Sequence, residues 1–411
     1  MRKIALLGLC TALASALFAA EGPVPKGVPH LDHVFLIMME NHAYAQIVGN
    51  PDAPFANQLV KSANAATNYF AIGHPSLTNY LEVVGGSNFG VRSDNNPDWH
   101  NASCTTNLAS GTPNLDGPVS SGAVCPIAGS GTDAMTPAVD TTNETSGPPG
   151  LNSIDGVQFI AAAPAVGKSI ADQLVAAGLS WKSYQESLPP AGADDINYSD
   201  GFFTDTDVNP VPANEPLSLV KLYAAKHNPF VYFHSVQEGK GALSLKRVVG
   251  FEGAGGLFED LSAGRVPNFS LIAPNQCTDQ HGRGNAGAAC DFDYSTNGTQ
   301  QGLNRGLIYV GDLTLRNIVK AIHSSPAWKV GRNAIVVLWD ENDYSKVPNT
   351  NQVLLIVDTN YGGRAVHSAQ FYTHFSLLKS LESGFDLPCL NHACDNSVTV
   401  MSDLFAGEGE R

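Results

Sequence analysis

Apolar residues run from Val34 to Met39 without a break, and the run stops at Glu40-Asn41-His42. A strand buried on both faces of a sheet has this pattern, because neither face tolerates a polar side chain. Comparable runs at 179–184, 229–234, 268–273, 333–339 and 353–357 predict further strands, of which 333–339 is the clearest. A β-biased stretch at 67–72 joins them. Between the runs, apolar positions fall at helical spacing over 54–65, 77–84, 169–177, 217–225, 256–263, 307–324 and 374–382. Strands alternating with helices predict an α/β fold, a three-layer sandwich around a mainly parallel central sheet. Residues 87–164 break the alternation. They are rich in Gly, Ser, Thr, Asn, Asp and Pro, show little periodicity, and are too long for a plain loop in a compact domain. They read as an irregular insertion within a single domain over 21–411.

The polar residues that follow these runs carry the candidate chemistry, since α/β proteins place their sites just past the ends of parallel strands. Glu40, Asn41 and His42 follow the first run, and Asp279 and His281 lie in irregular backbone after 268–273. Asp340-Glu341-Asn342-Asp343 follow 333–339. Such residues together at a buried strand end are costly unless a cation neutralises them. His374 opens the helix at 374–382. Ser76 sits where the stretch 67–72 breaks at Gly73-His74-Pro75 and a helix begins. Proline suits the first turn of a helix, so Ser76 is placed at or beside the first helical residue. A hydroxyl there faces free backbone N–H groups and the positive end of the helix dipole, an environment that also holds phosphate. Taken alone, Ser76 reads first as a helix cap and His374 as a core or capping histidine. Together the clusters supply a hydroxyl nucleophile, hard oxygen ligands and histidines on one rim of the sheet. The chain lacks the Gly-x-Ser-x-Gly elbow of ester hydrolases and the His-Glu-x-x-His pair of zinc proteases. Metal-assisted attack on phosphorus fits the set best.

The chain has 411 residues, 43% hydrophobic and 15% charged, enough to bury a large core. Met1-Arg2-Lys3 and the apolar run 4–19 read as a secretory signal peptide over 1–20. The run is too short and alanine-rich for a good membrane span. A secreted or periplasmic protein without a stable membrane anchor is expected. Removing Arg2 and Lys3 takes the formal charge from −15 to −17, which argues against nucleic acid and anionic membranes as partners. Cys10 leaves with the signal, and six of the seven cysteines remain. An even number in an exported chain predicts disulfides, and proximity in sequence suggests Cys104–Cys125, Cys277–Cys290 and Cys389–Cys394. Zinc is the competing reading, weakened by the lack of a Cys-x-x-Cys pair.

Met39-Glu40-Asn41-His42, the stretch from Thr67 to Tyr80, Asn275 to His281, Leu338-Trp339-Asp340-Glu341, and Tyr372-Thr373-His374-Phe375-Ser376-Leu377-Leu378 follow one another along the chain. In these motifs and their order the chain resembles the acid phosphatase and phospholipase C type phosphoesterase family of the alkaline phosphatase superfamily. The resemblance runs from about His33 to Leu387. It implies an alkaline-phosphatase-like fold and an exported, metal-dependent hydrolase of small phosphate esters. The first expectation is an acid phosphatase that cleaves phosphomonoesters through a phosphoserine. The alternatives are a phospholipase C cleaving phosphodiester head groups and a non-catalytic secreted binding protein on the same fold. Residue by residue, the resemblance implies Ser76 as nucleophile and Glu40, Asn41, Asp340 and Glu341 as metal ligands. It implies catalytic roles for Asp279, His281 and His374, and substrate-binding roles for His74 and Asn79. Asn342 departs from the pattern, because relatives often carry an acid or a histidine there. Oxygen-dominated ligands favour one hard divalent cation, Ca²⁺ or Mg²⁺, although nearby histidines could admit a transition metal. Only residues 388–411 follow Leu387, which leaves no room for a separate lipid-binding domain and favours soluble esters.

Overall fold

The computed structural model describes residues 20–91, 94, 97, 124–132, 151–154, 157–160, 163–188, 222–282, 290, 304–342, 351–363 and 365–405. The signal peptide expected over 1–20, the helix expected over 217–225 and most of the insertion lie outside these residues.

Strand β1 (His33–Met39) lies inside an eight-stranded sheet. The other members are β2 (Asn64–Ala66), β3 (Trp181–Gln185), β4 (Val248–Gly250), β5 (Phe269–Ala273), β6 (Asn333–Trp339), β7 (Leu355–Thr359) and β8 (His367–Ser368). Their spatial order is β8-β2-β7-β6-β1-β5-β3-β4. All pair in parallel except β7, which runs against both of its neighbours. Every residue of β6, and all of β1 after His33, is buried. That double-sided burial explains the unbroken apolar runs.

Helices cover the sheet in two groups. α1 (Pro54–Ser62) and α4 (Leu257–Ala263) pack on the long α5 (Arg305–Ser324). α3 (Ile170–Ala176) and α6 (His374–Gly384) pack on α2 (Ser76–Gly85). The architecture is therefore the expected α/β sandwich with a mainly parallel central sheet. No helix among the described residues is long and apolar enough to cross a membrane.

Three expectations need correction. The helix expected over 54–65 stops at Ser62, and Asn64–Ala66 instead forms β2. Asn64 binds the carbonyls of Gly363 and Leu404 and accepts the N–H of Val366, so tertiary hydrogen bonds override helical spacing there. The run at 229–234 is not a strand. It forms a 3-10 turn, Pro229–Tyr232, followed by the helical turn His234–Gln237. Both places beside β3 are taken by β5 and β4, and Phe230 packs instead on Trp181 with ring centroids 4.6 Å apart. Within the stretch expected as an irregular insertion, Phe89, Val91, Val124 and Ile127 are fully buried members of the core. Of the expected disulfides, Cys277–Cys290 and Cys389–Cys394 are formed. Cys125 is disulfide-bonded, and Cys104 lies outside the described residues.

Candidate active site

Three strand ends are tied together on one rim of the sheet. β1 and β6 run in register to Met39 opposite Trp339, so Glu40 and Asp340 leave the sheet side by side. The Asp340 N–H donates to the Met39 carbonyl at 3.0 Å, and the Asn41 N–H to Asp340 Oδ1 at 3.1 Å. Beyond β5, the Asp279 carbonyl accepts the Glu40 N–H at 2.8 Å. Asn41 turns the chain with φ +43°, a left-handed conformation that Asn tolerates. Backbone hydrogen bonds thus fix four acidic groups near one another: Glu40, Asp279, Asp340 and Glu341.

Ser76 is the first residue of α2, after Pro75. Its hydroxyl lies 3.1 Å from Glu341 Oε1, 3.2 Å from Glu40 Oε2 and 3.5 Å from Asn41 Oδ1. A hydroxyl carries one proton, so it can donate to one of these at a time. Helical periodicity puts Asn79 and Tyr80 on the same face one turn later. Tyr80 donates to Glu40 Oε1 at 2.6 Å. Asn79 accepts the N–H groups of Ile72 and Gly73 and donates to Gly73 O and Glu341 Oε2, which ties the turn before Ser76 to Glu341. His74 Nδ1 lies 2.8 Å from the same Glu341 oxygen.

A second group meets the first at Glu40. His227 Nε2 is 3.2 Å from Glu40 Oε1, and its Nδ1 is 3.2 Å from Asp279 Oδ2. Its ring stacks on Tyr80 with an interplanar angle of 8°. Lys226 Nζ lies 3.2 Å from His281 Nε2 and 2.9 Å from Asp94 Oδ2, while Asp94 Oδ1 accepts the N–H of Leu77. An acid at a helix N-terminus is favoured by the dipole.

Burial pushes all four site carboxyls above the usual carboxylate range. Mutual repulsion adds to this: Asp340 and Asp279 act on Glu40, Asp340 on Asp279, and Glu341 on Asp340. Burial holds His227 well below its ordinary value, helped by Lys226 and His281. His374 is pushed down to about 4 by burial. The crowded buried carboxylates and the Asn41 amide oxygen suit a hard divalent cation, while the nearby imidazoles would admit a transition metal. Asp340 Oδ2 is buried without a hydrogen-bond partner among the described residues, as a ligand atom would be.

The structure gathers Glu40, Asn41 and Glu341 around the Ser76 hydroxyl and brings Asp340 to Asn41. Asp279 and His281 join the cluster through His227 and Lys226. His374 stands behind it, with Nδ1 2.9 Å from the Tyr69 hydroxyl and Nε2 2.8 Å from the Asp340 carbonyl. Sequence reasoning missed Lys226, His227, Asp94 and Tyr80. The signal for the first two was present. A basic pair, Lys226-His227, stands one residue before the apolar run at 229–234.

Comparison with known proteins gives this geometry a setting. An acid phosphatase of Aspergillus fumigatus is 23% identical over 87% of this chain, and a phosphate-repressible acid phosphatase of Penicillium chrysogenum is 24% identical over 81%. The chain spans 55% of the length of each. A phosphatidylinositol-3-phosphatase of Mycobacterium tuberculosis is 22% identical, over 95% of this chain and 91% of its own length. Among solved structures, a protein in the alkaline phosphatase superfamily from Vibrio parahaemolyticus matches 92% of this chain and 72% of its own, at 14% identity and a TM-score of 0.48. The model of the Phosphoesterase family matches residues 50–388, a span that holds every residue of the cluster except Glu40 and Asn41. A match over most of the chain shows its membership: this protein belongs to the phosphoesterase family.

Proposed function

We propose that this protein is an exported acid phosphatase that hydrolyses phosphomonoesters through a phosphoserine on Ser76, with one divalent cation held by Glu40, Asn41, Asp340 and Glu341. The observation that carries the reading is the Ser76 hydroxyl at a helix N-terminus, within 3.5 Å of Glu40, Asn41 and Glu341. Bound there, Ca²⁺ or Mg²⁺ would supply Lewis-acid polarisation. The chain's own residues do the rest. The positive end of the α2 dipole lies at Ser76 and favours an incoming phosphate. Glu341 and Glu40 are the acceptors within reach of the Ser76 proton as its oxygen forms a bond to phosphorus and the ester oxygen departs. His74 and Asn79 hold Glu341 in place and edge the turn that the phosphate would enter. His374 fixes the Asp340 backbone from behind. Burial of the cluster keeps bulk water from competing with these contacts. The apolar leader at 4–19 and the disulfides support export.

The Mycobacterium relative's name places its activity on a phosphomonoester, and this chain spans nearly all of that relative, which favours a monoesterase over a phospholipase C. p-Nitrophenyl phosphate compared with p-nitrophenyl phosphocholine separates the two, and turnover of neither would leave a binding protein. Ser76→Ala decides the mechanism. Loss of a cap costs about 1 kcal/mol of stability and leaves turnover intact. Loss of a nucleophile removes the covalent route, so kcat is expected to fall by roughly 10⁴-fold or more with little change in melting temperature. Acid quenching of the native enzyme should trap phosphate on the peptide that contains Ser76. Near-native turnover by Ser76→Ala would overturn the reading.

A further inference from the structure

Positive charge is supplied to this cluster by a lysine as well as by any bound cation. Glu40, His227 and His281 each bring a donor atom within 4.8 Å of the others, close enough to share a metal ion. His281 Nδ1 is held by the Gly282 carbonyl at 2.9 Å, which leaves Nε2 for a metal. Yet Nε2 is the atom that Lys226 approaches at 3.2 Å. An ammonium and a divalent ion cannot both stand against that nitrogen. Asp94 fixes the lysine there: one carboxylate oxygen takes Nζ at 2.9 Å, and the other takes the N–H of Leu77, next to the nucleophile, at 3.0 Å. The Lys226 side chain is only 5% exposed. Its charge acts on Glu40, Asp279 and Glu341 alike, so it reaches the whole carboxylate group around Ser76.

We propose that Lys226 is a catalytic residue whose ammonium binds a non-bridging oxygen of the phosphoryl group, in the position that a second metal ion would serve, and that Asp94 is its positioning residue. This rests on the reading of Ser76 as a nucleophile toward phosphorus. In the transition state, charge spreads over the equatorial phosphoryl oxygens. A fixed cation in a dry site stabilises that charge far more than one in water. No proton passes through Lys226, and no bond to it forms or breaks.

The test compares native and Lys226→Ala protein, both metal-loaded. It measures kcat and KM on p-nitrophenyl phosphate, inorganic phosphate affinity by calorimetry, and divalent ions per chain by elemental analysis. Loss of Lys226 is expected to lower kcat about 100- to 1,000-fold. Phosphate affinity is expected to fall about tenfold or more, as for a lost hydrogen bond from a charged group. In Mn²⁺ or Zn²⁺ the variant should hold one more ion per chain than the native protein, because the lysine no longer blocks His281. Lys226→Arg, which keeps the charge, should recover part of the rate. Asp94→Asn should lower kcat more than it raises KM and leave the ion count unchanged. If Lys226→Ala fails to fold, the Arg and Asp94→Asn variants carry the same comparison. Native kcat and phosphate affinity in Lys226→Ala would sink the proposal, as would a native chain that already holds two ions. A native chain that turns over no phosphate ester would instead sink the phosphoesterase reading itself.

Discussion

Glu382 shows, away from the site, what burial does to a carboxyl in this protein. It lies in α6 and accepts the Leu390 N–H at 2.8 Å, and burial still pushes it well above the usual carboxylate range. Between the ordinary value and the raised one, the folded chain keeps a proton that the unfolded chain has released, so this residue lowers stability as pH rises through that window. Glu382→Gln should therefore gain in melting temperature relative to the native protein from about pH 4 toward pH 7. A difference that stays flat over that range would show that the carboxyl is ionised in the fold. Single residues were also where the sequence was hardest to read. Ser76 was legible only through its setting, after a proline and before apolar helical spacing. Lys226 and His227 left only the faint signal of a basic pair near an apolar run, because their partners Asp94, Glu40 and Asp279 lie far away in sequence and spacing carries no trace of such contacts.

At the scale of elements, the ends of β1, β5 and β6 were readable because burial on both faces leaves no polar position until the strand stops. β6 matches its expected range at both ends, and β5 begins one residue later than expected. The run at 229–234 failed for a physical reason: a short apolar stretch does not say whether it pairs in a sheet or packs as a turn. The Cys277–Cys290 bridge is an element with a testable duty. It closes a loop that starts two residues before Asp279 and contains His281. In the chain-entropy model a loop of this length contributes about 3 kcal/mol. Replacing both cysteines by alanine should lower the melting temperature and cut kcat more than tenfold, roughly the cost of a misplaced catalytic group. Unchanged turnover in a measurably less stable protein would show that the bridge serves the fold alone.

For the whole molecule, the proposed metal site would couple stability to metal through its crowded carboxyls. A cation must displace their protons, so it stabilises the fold more as pH rises. The shift in melting temperature between Ca²⁺ and a chelator should be small near pH 4 and grow toward pH 7. It should largely vanish in Asp340→Ala, whose core stays folded. A shift independent of pH, or one retained in Asp340→Ala, would remove that residue from the metal site. The sheet order has one further result, in the time domain. Among the described residues β1 is the first strand to be synthesised, and it is held between β5 and β6, which come more than two hundred residues later. Until then its row of apolar side chains has no lasting neighbour, and contacts so distant in sequence close slowly. The nascent chain therefore spends most of its synthesis with this apolar segment unsheltered. Glu40 and Asn41 are made early but meet Asp340 only near the end, so the site is completed late in synthesis.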